Sequence, residues 1–178
     1  MVQEKDIELE VTGMGMILYS DHAVAELEEG EDFFSNSYST VGDVLKEVNS
    51  GRIVGICLET PGQYIIKVRE GFPSDELADN SKFKLRLSIE VDGNNRIYVR
   101  NLDDLYNWEK ACSSSQIVDV EKGYYTVLML SNMPDIGHFG DEQVIYMYLE
   151  KDEVFMTPHF KGVPNLRDAG RRVTLPVV

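Results

Sequence analysis

The sequence predicts a mainly β protein with one or two short helices, built as a pseudo-twofold β-sandwich from two similar halves. Three observations predict this fold. Several segments alternate apolar and polar residues, which is typical of strands with one buried face. Hydrophobic residues make up 43% of the 178 residues, enough for one core. Sliding the chain on itself by 61 residues aligns 41–73 with 102–134 without a gap.

The first elements are two strands. In residues 6–11, Ile7, Leu9 and Val11 fall on one face and Glu8 and Glu10 on the other. A second strand is predicted at 14–20, after the turn at residue 13. Because the alternation is regular, we expect the first strand to be buried on one face only.

The clearest helix begins after Thr40, whose side chain suits an N-cap. Asp43 lies in the first turn, at the positive end of the helix dipole. Gly51 suits the left-handed position that follows a helix. One apolar stripe runs along the helix at Val41, Val44, Leu45 and Val48.

The rest of the chain predicts strands, one further short helix and a tail. Strands are predicted at 52–59, 63–69, 82–91, 96–100, 116–120, 123–130 and 142–149. A short helix is predicted at 101–108. The strand at 82–91 places Phe83, Leu85, Leu87, Ile89 and Val91 on its buried face.

These elements predict one β-sandwich domain over residues 1–153, with halves at roughly 14–91 and 92–153. Residues 154–178 are expected to form an extended C-terminal tail that packs on the domain or on a partner. The repeat aligns Phe83, Leu85 and Leu87 with Val144, Tyr146 and Tyr148 on the buried side. Two such units can bury one shared core between two sheets.

The second half is apolar on its predicted outer face as well. The residues predicted there are Leu128, Leu130, Ile145 and Met147. Strands that are apolar on both faces are expected to be covered. The predicted cover is the tail, through residues 154–156 and 173–178, or a second copy of the chain in a homodimer.

The charge excludes several classes of partner. The net charge is −14, which disfavours nucleic acid and anionic membrane surfaces. No apolar run reaches the roughly 20 residues of a membrane span, and no secretion signal is recognisable at the N-terminus. Two cysteines form no disulfide framework, so a reducing cytoplasm is the expected location.

Acidic residues concentrate near the N-terminus, and their densest group is a candidate partner-binding site. Residues 1–32 hold ten acids and one base, a net charge of −9. The candidate residues are Glu26, Glu28, Glu29, Glu31 and Asp32. Three interpretations stay open: a solvated loop, a dock for the basic tail at 161–178, or a patch that steers a basic protein partner.

Catalytic constellations are not recognisable, so no enzymatic activity and no cofactor are predicted. The best metal candidates are in one loop: Asp135, His138, Asp141 and Glu142. The candidate anion-binding residues are Lys67, Lys84 and Arg86, from a basic stripe that also contains Arg69 and Lys82. Such a stripe is also typical of the solvent-exposed face of a sheet.

The segment 120–149 carries a resemblance to a known family. It contains Lys122-Gly-Tyr-Tyr125, an apolar strand, Pro134, an acidic loop and a final apolar strand. This pattern resembles the C-terminal half of the competence protein J family, which are small bacterial inhibitors of a DNA-entry nuclease. The resemblance implies a bacterial β-sandwich that binds and blocks a nuclease or toxin. It assigns no inhibitory residues to this chain.

The leading hypothesis is therefore a non-enzymatic acidic module that binds protein, such as an immunity or inhibitor protein against a basic nuclease or toxin. One alternative is a β-sandwich that binds a metal or small ligand through the 135–142 loop. The other is a structural protein that associates with itself through the apolar outer face of the second half.

Overall fold

A computed structural model describes residues 1–167 of the chain. Those residues form nine strands, three short α-helices and three 3-10 segments. The strands are β1 (Lys5–Val11), β2 (Gly15–Tyr19), β3 (Val54–Cys57), β4 (Gly62–Glu70), β5 (Phe83–Val91), β6 (Arg96–Asn101), β7 (Ile117–Asp119), β8 (Gly123–Ser131) and β9 (Gln143–Asp152). The helices are α1 (Phe33–Ser37), α2 (Val41–Asn49) and α3 (Asp75–Asn80). The 3-10 segments are Asp21–Val24, Leu102–Tyr106 and Ser114–Gln116.

The strands form two sheets, and the predicted mainly β fold is confirmed. The five-stranded sheet has the order β1-β4-β9-β8-β5, and the four-stranded sheet has the order β3-β2-β6-β7. β4 and β9 are parallel, while the other neighbouring strands are antiparallel. The strands of both sheets contribute to one buried cluster, which includes Ile7, Leu18, Ile66, Val99 and Met147.

The two halves contribute in the same way to one sheet and differently to the other. In the four-stranded sheet, β2 and β6 are central and β3 and β7 lie outside them. In the five-stranded sheet, β4 pairs with β9 in parallel, whereas β8 pairs with β5 antiparallel. β8 and β9 are also direct neighbours, while β4 and β5 lie apart.

The predicted orientation of β9 was wrong. Ile145 and Met147 face the core with no exposed surface, and Val144, Tyr146 and Tyr148 face outward. β9 carries apolar side chains on both faces, so alternation does not identify its buried face. A slip of one residue then moves every side chain to the other side. The outward prediction holds for Leu128 and Leu130, on β8, which alternate with the core residues Val127 and Met129.

The main helix has the predicted ends, and two further helices were not predicted. Thr40 Oγ1 accepts a hydrogen bond from the Asp43 N–H at 3.1 Å, and Gly51 has a φ of 68° after the helix. α1 and α3 have five and six residues and bury none of them. Helices this short have no apolar stripe, so the N-cap residue is the only feature of the sequence that could predict them. Residues 102–106, within the predicted helix at 101–108, form a 3-10 segment.

The outer face of the five-stranded sheet is crossed by the connection from β4 to β5. Leu77 of α3 lines one open depression together with Lys67, Val144 and Tyr146, which are outward residues of β4 and β9. α3 therefore lies on this outer face. Leu130, the neighbour of Tyr146 on β8, is 3% exposed although it lies outside the core cluster.

The described part of the tail runs along the domain. The Ser88 hydroxyl donates to the carbonyl of Met156, and the Phe160 N–H donates to Asn49 Oδ1 at 3.1 Å. Near the end of this part, the Leu166 N–H donates to the Cys57 carbonyl at 3.0 Å, and the Leu166 side chain is fully buried. Residues 173–178, which were predicted to cover the outer face, lie outside the described residues.

Candidate functional site

The outer face of the four-stranded sheet carries a closed layer of aromatic side chains. Alternation along β2 and β6 places Tyr19, Tyr98 and Arg100 on this face. The rings of Tyr19 and Tyr98 stack with centroids 4.9 Å apart, and Trp108 meets Tyr19 edge-on at 5.5 Å. Because Tyr19 and Trp108 are each 2% exposed, this layer is buried, and its three rings belong to the same hydrophobic cluster as the core between the sheets.

Arg100 connects this layer to the chain that covers it. Its Nε donates to Asp104 Oδ2 at 2.9 Å, and its Nη1 donates to the Glu109 carbonyl at 2.8 Å. The guanidinium also lies 4.5 Å from the centre of the Trp108 ring. Burial raises the pKa of the Tyr19 hydroxyl above its ordinary value, so this hydroxyl stays protonated beside Arg100. The buried cation is paired with the Asp104 carboxylate, and its bonds to Asp104 and to the Glu109 carbonyl hold residues 100–109 in place.

The acidic turn, residues 26–32, is fixed to this layer by backbone hydrogen bonds. The Gly30 N–H donates to the Trp108 carbonyl at 2.7 Å, and the Trp108 N–H donates to the Glu31 carbonyl at 2.9 Å. The Lys110 N–H donates to Glu29 Oε2 at 3.0 Å. Gly30 has a φ of 80°, a conformation that a residue with a Cβ adopts only with strain. The turn is therefore held in one position on the sheet.

The five candidate acids do not have equal roles in the structure. Glu31 Oε2 accepts from the Glu28 N–H at 2.8 Å, and Asp32 Oδ1 accepts from the Ser35 N–H at 2.9 Å as the N-cap of α1. Glu26, Glu28 and Glu29 are exposed, and of these only Glu29 has its carboxylate hydrogen-bonded within the described residues. The charges available to a partner are chiefly those of these three residues.

A pocket of about 290 Å³ opens beside the acidic turn. It is lined by Tyr19, Tyr98 and Trp108, together with Asp21 and Lys110. The Tyr98 hydroxyl donates to Asp21 Oδ1 at 2.9 Å. Asp21 Oδ2 is buried and has no hydrogen-bond partner among the described residues.

Sequence reasoning did not find this pocket. Asp21 is one of the ten acids in residues 1–32, and no local sequence pattern distinguishes it from the others. Tyr98 and Trp108 come from a distant part of the chain, and only the pairing of β2 with β6 brings Tyr98 beside Tyr19. The alternation of the two strands indicates which residues share a face, but it does not predict which loop covers them.

The 135–142 loop is held by an aromatic anchor instead. Phe139 is 3% exposed and meets the rings of Tyr64 and Phe83 edge-on, at 6.1 and 5.6 Å. Asp141 Oδ2 accepts from the His138 N–H at 2.8 Å, so this carboxylate closes a turn.

The metal candidates do not converge. Asp135, His138, Asp141 and Glu142 are all exposed. Within residues 1–167, the structure brings together no group of three or more His, Cys, Asp or Glu side chains that could hold a metal ion.

The candidate anion-binding residues flank the outer face of the five-stranded sheet. Lys67 and Arg69 both lie beside Asp6, at 3.9 and 3.0 Å. Lys84 and Arg86 stand two strands from β9, on the edge strand β5, and form no ion pair within the described part of the chain. The intervening strands β9 and β8 place Tyr146, Tyr148, Leu128 and Leu130 between the two pairs of cations.

Comparison with known proteins identifies two similar structures. No protein-family model matches the chain. No curated protein matches it either. One solved structure, described as crocagin biosynthetic gene J, is 13% identical, with a TM-score of 0.53, and the match covers 83% of this chain and 97% of that one.

The second similar structure is ComJ, inhibitor of the DNA degrading activity of NucA, from Bacillus subtilis. It is 10% identical, with a TM-score of 0.49, and the match covers 85% of this chain and 99% of that one. Its name is that of the family that residues 120–149 resemble. At these identities both similarities concern the fold alone.

Within residues 1–167, no helix has the length and apolar character needed to cross a membrane.

Proposed function

We propose that this protein is a non-enzymatic binding module of the bacterial cytoplasm that recognises a basic protein partner through the acidic turn. In this role it acts as an inhibitor or immunity protein against a nuclease or toxin. The carboxylates of Glu26, Glu28 and Glu29 take the place of substrate phosphates and enter the partner's basic active site.

The observation that carries the proposal is the attachment of the turn to the scaffold. Hydrogen bonds from Gly30, Trp108 and Lys110 fix the backbone and one carboxylate before any partner arrives. A solvated loop would lose conformational entropy on binding, whereas a fixed turn has already lost most of it. Exposed charges held at fixed positions suit recognition of a partner with complementary charges.

The charge of the whole molecule supports the same partner chemistry. A net charge of −14 attracts basic proteins over long range and raises their rate of association. Glu31 accepts a backbone hydrogen bond within the turn, and Asp32 accepts one from α1 at the end of the turn, so they keep the three exposed acids in position. We therefore assign contact to three acids and a structural role to two.

Capture from the native host compares three forms of the protein. One is the wild type, and the second carries Glu26→Gln, Glu28→Gln and Glu29→Gln. The third is a matched control with Glu8→Gln, Glu10→Gln and Glu76→Gln, which removes three exposed charges elsewhere. We expect the wild type and the control to recover the same basic protein, and the turn variant to recover at least about tenfold less.

The captured protein is then assayed for DNA degradation with and without each form. Inhibition by the wild type and the control, but not by the turn variant, supports the proposal. Raising the salt to about 1 M, where the Debye length is about 3 Å, should slow association of the wild type. Equal recovery and equal inhibition by all three forms would rule out the proposed role of the turn.

A further inference from the structure

The open depression on the outer face of the five-stranded sheet is a groove that follows β9. Val144 and Tyr146, two outward residues of β9, line it together with Leu77 of α3 and the chain over residues 131–135. Its volume is about 390 Å³, which falls in the range of sites for small ligands. Val144, Tyr146 and Leu77 are each only half-buried, so a ligand can reach their side chains.

The two ends of the groove carry opposite charges. Lys67, the neighbour of Tyr146 on β4, lines one end, and its ammonium lies 6.0 Å from the centre of the Tyr146 ring. The loop between β8 and β9 brings the exposed acids Asp135 and Glu142 to the other end. Glu142 directly precedes β9 and is four residues from Tyr146, so the backbones of the two ends lie about 13 Å apart.

The charged groups at both ends are available to a ligand. Asp135 and Glu142 form no ion pair within residues 1–167. Lys67 lies 3.9 Å from Asp6, but Arg69 lies closer to the same carboxylate, at 3.0 Å. Two cations therefore face one acid at this end, which keeps a positive charge, while the loop end is negative.

These features define the shape and the chemistry of a ligand that fits. It is extended, with a cation at one end, an anion at the other and apolar groups between them. A short peptide with free termini has all three properties, and three extended residues span about 10 Å. Its first and third side chains point the same way, about 7 Å apart, which is the spacing of Val144 and Tyr146 along β9.

We propose that this groove binds a free peptide of about three residues, with its ammonium at Asp135 and Glu142 and its carboxylate at Lys67. The apolar side chains of the peptide pack on the half-buried residues of β9 and α3. Opposite charges at the two ends fix the direction in which the peptide lies. The acidic turn belongs to the other sheet, so this second binding site does not depend on the proposed function.

The direct test is calorimetric titration of the full chain with three tripeptides: valyl-alanyl-phenylalanine, phenylalanyl-alanyl-valine and leucyl-alanyl-tyrosine. We expect saturable binding of at least one of them, with one peptide bound per chain. The same peptide with its amino end acetylated, or with its carboxyl end amidated, should bind at least about tenfold more weakly. Binding by none of the three, or equal binding of the free and blocked forms, would exclude the site.

Two variants test which end of the groove reads which end of the peptide. Lys67→Gln should abolish the preference for a free carboxylate and keep the preference for a free ammonium. Asp135→Asn combined with Glu142→Gln should do the reverse. Thermal unfolding of each variant verifies that the fold is kept. If either variant weakens the free and both blocked peptides equally, the assignment of the two ends is wrong.

Matched controls remove exposed charges elsewhere on the surface. Lys122→Gln is the control for the cation, and Glu8→Gln with Glu10→Gln is the control for the two acids. Both should keep the two preferences of the wild type. The variant that removes the three charges of the acidic turn should also bind the peptide normally, whereas Lys67→Gln should capture the basic partner normally. Failure of the peptide site and failure of the proposed function are therefore distinguishable.

Discussion

The outer faces of the two sheets are covered to very different extents. On the four-stranded sheet, Tyr19, Arg100 and Trp108 are each at most 5% exposed. On the five-stranded sheet, Leu128, Tyr146 and Tyr148 are only half-buried. The first face is closed by loops that bring aromatic side chains. Among residues 1–167, the second is crossed by the short helix α3, and the tail contacts it at Ser88. Burial on both faces makes β2 the most enclosed strand of the described chain.

This difference indicates where a binding surface can be held rigidly. A loop that is hydrogen-bonded to a buried aromatic layer has little freedom to move. The acidic turn is held in this way by its hydrogen bonds to Trp108. A half-open sheet face leaves its side chains free to change rotamer. The proposed recognition by pre-positioned charges therefore uses the closed face, where the fold has already ordered the loop that carries them.

The largest expected effect is the loss of the aromatic layer. Trp108→Ala should lower the free energy of unfolding by about 3–5 kcal/mol, because it leaves a large cavity and removes the ring beneath Arg100. Tyr148→Ala, the matched change on the half-open face, should cost about 1–2 kcal/mol, since the ring is only half-buried. Urea unfolding of both variants measures the difference.

A second measurement separates local from global destabilisation in these variants. Hydrogen exchange at the Gly30 amide should rise in Trp108→Ala more than in Tyr148→Ala, because this amide bonds the Trp108 carbonyl. Equal destabilisation by the two substitutions would show that the two faces are equally closed.

The fold was predictable from local patterns wherever one face of an element is polar. β1 and β5 alternate cleanly, so their buried faces follow from the sequence. Thr40 and Gly51 identify the ends of α2 because both residues satisfy specific backbone groups. In β9, apolar residues alternate with tyrosines and Val144, so both faces are apolar. The pattern therefore does not show which face is buried, and the predicted face was the wrong one.

The candidate site was predictable only in part. The acidic composition of residues 26–32 is visible in the sequence. The backbone hydrogen bonds that Glu31 and Asp32 accept are not, because they depend on the geometry of the turn. The pocket needs Tyr98 and Trp108 beside Asp21, and these contacts arise from strand pairing over about 80 residues. Non-local pairings of this kind leave no local signature in a single sequence.

An effect of intermediate size on the free energy of unfolding is expected at the outer face of the five-stranded sheet, where the connection from β4 to β5 crosses it. Leu130 and Leu128 both face outward on β8, but Leu130 is 3% exposed and Leu128 is half-buried. Leu130→Ala should lower the free energy of unfolding by about 2–3 kcal/mol and Leu128→Ala by about 1 kcal/mol. Chemical denaturation checks both values.

The same pair tests whether α3 provides the cover. Replacing Leu77 by Ala should lower stability in the wild type and have a smaller effect in Leu130→Ala, because neighbouring side chains are not additive. Additive effects of the two substitutions would show that another segment covers Leu130.

The smallest effect is expected from an exposed ion cluster at the end of the five-stranded sheet. Glu121 lies 2.8 Å from the N-terminal ammonium and 2.9 Å from Lys151 Nζ. These two cations lower the pKa of Glu121 to about 2. The unfolded chain binds a proton on this group at higher pH than the folded chain does, so its contribution to stability is present above about pH 4.5 and is lost as the pH falls toward 2.

Glu121→Gln should therefore remove part of the acid destabilisation seen between about pH 4.5 and 2 and slightly lower stability at neutral pH. Glu10→Gln serves as the control, because it removes an equal exposed charge that has no ion pair within the described residues. Thermal midpoints measured across this pH range compare the three proteins, and about 1 M salt should shrink the difference. Parallel acid profiles for the wild type and Glu121→Gln would show that the cluster does not form in solution. The N-terminus would then not be linked to Lys151 of β9 through Glu121.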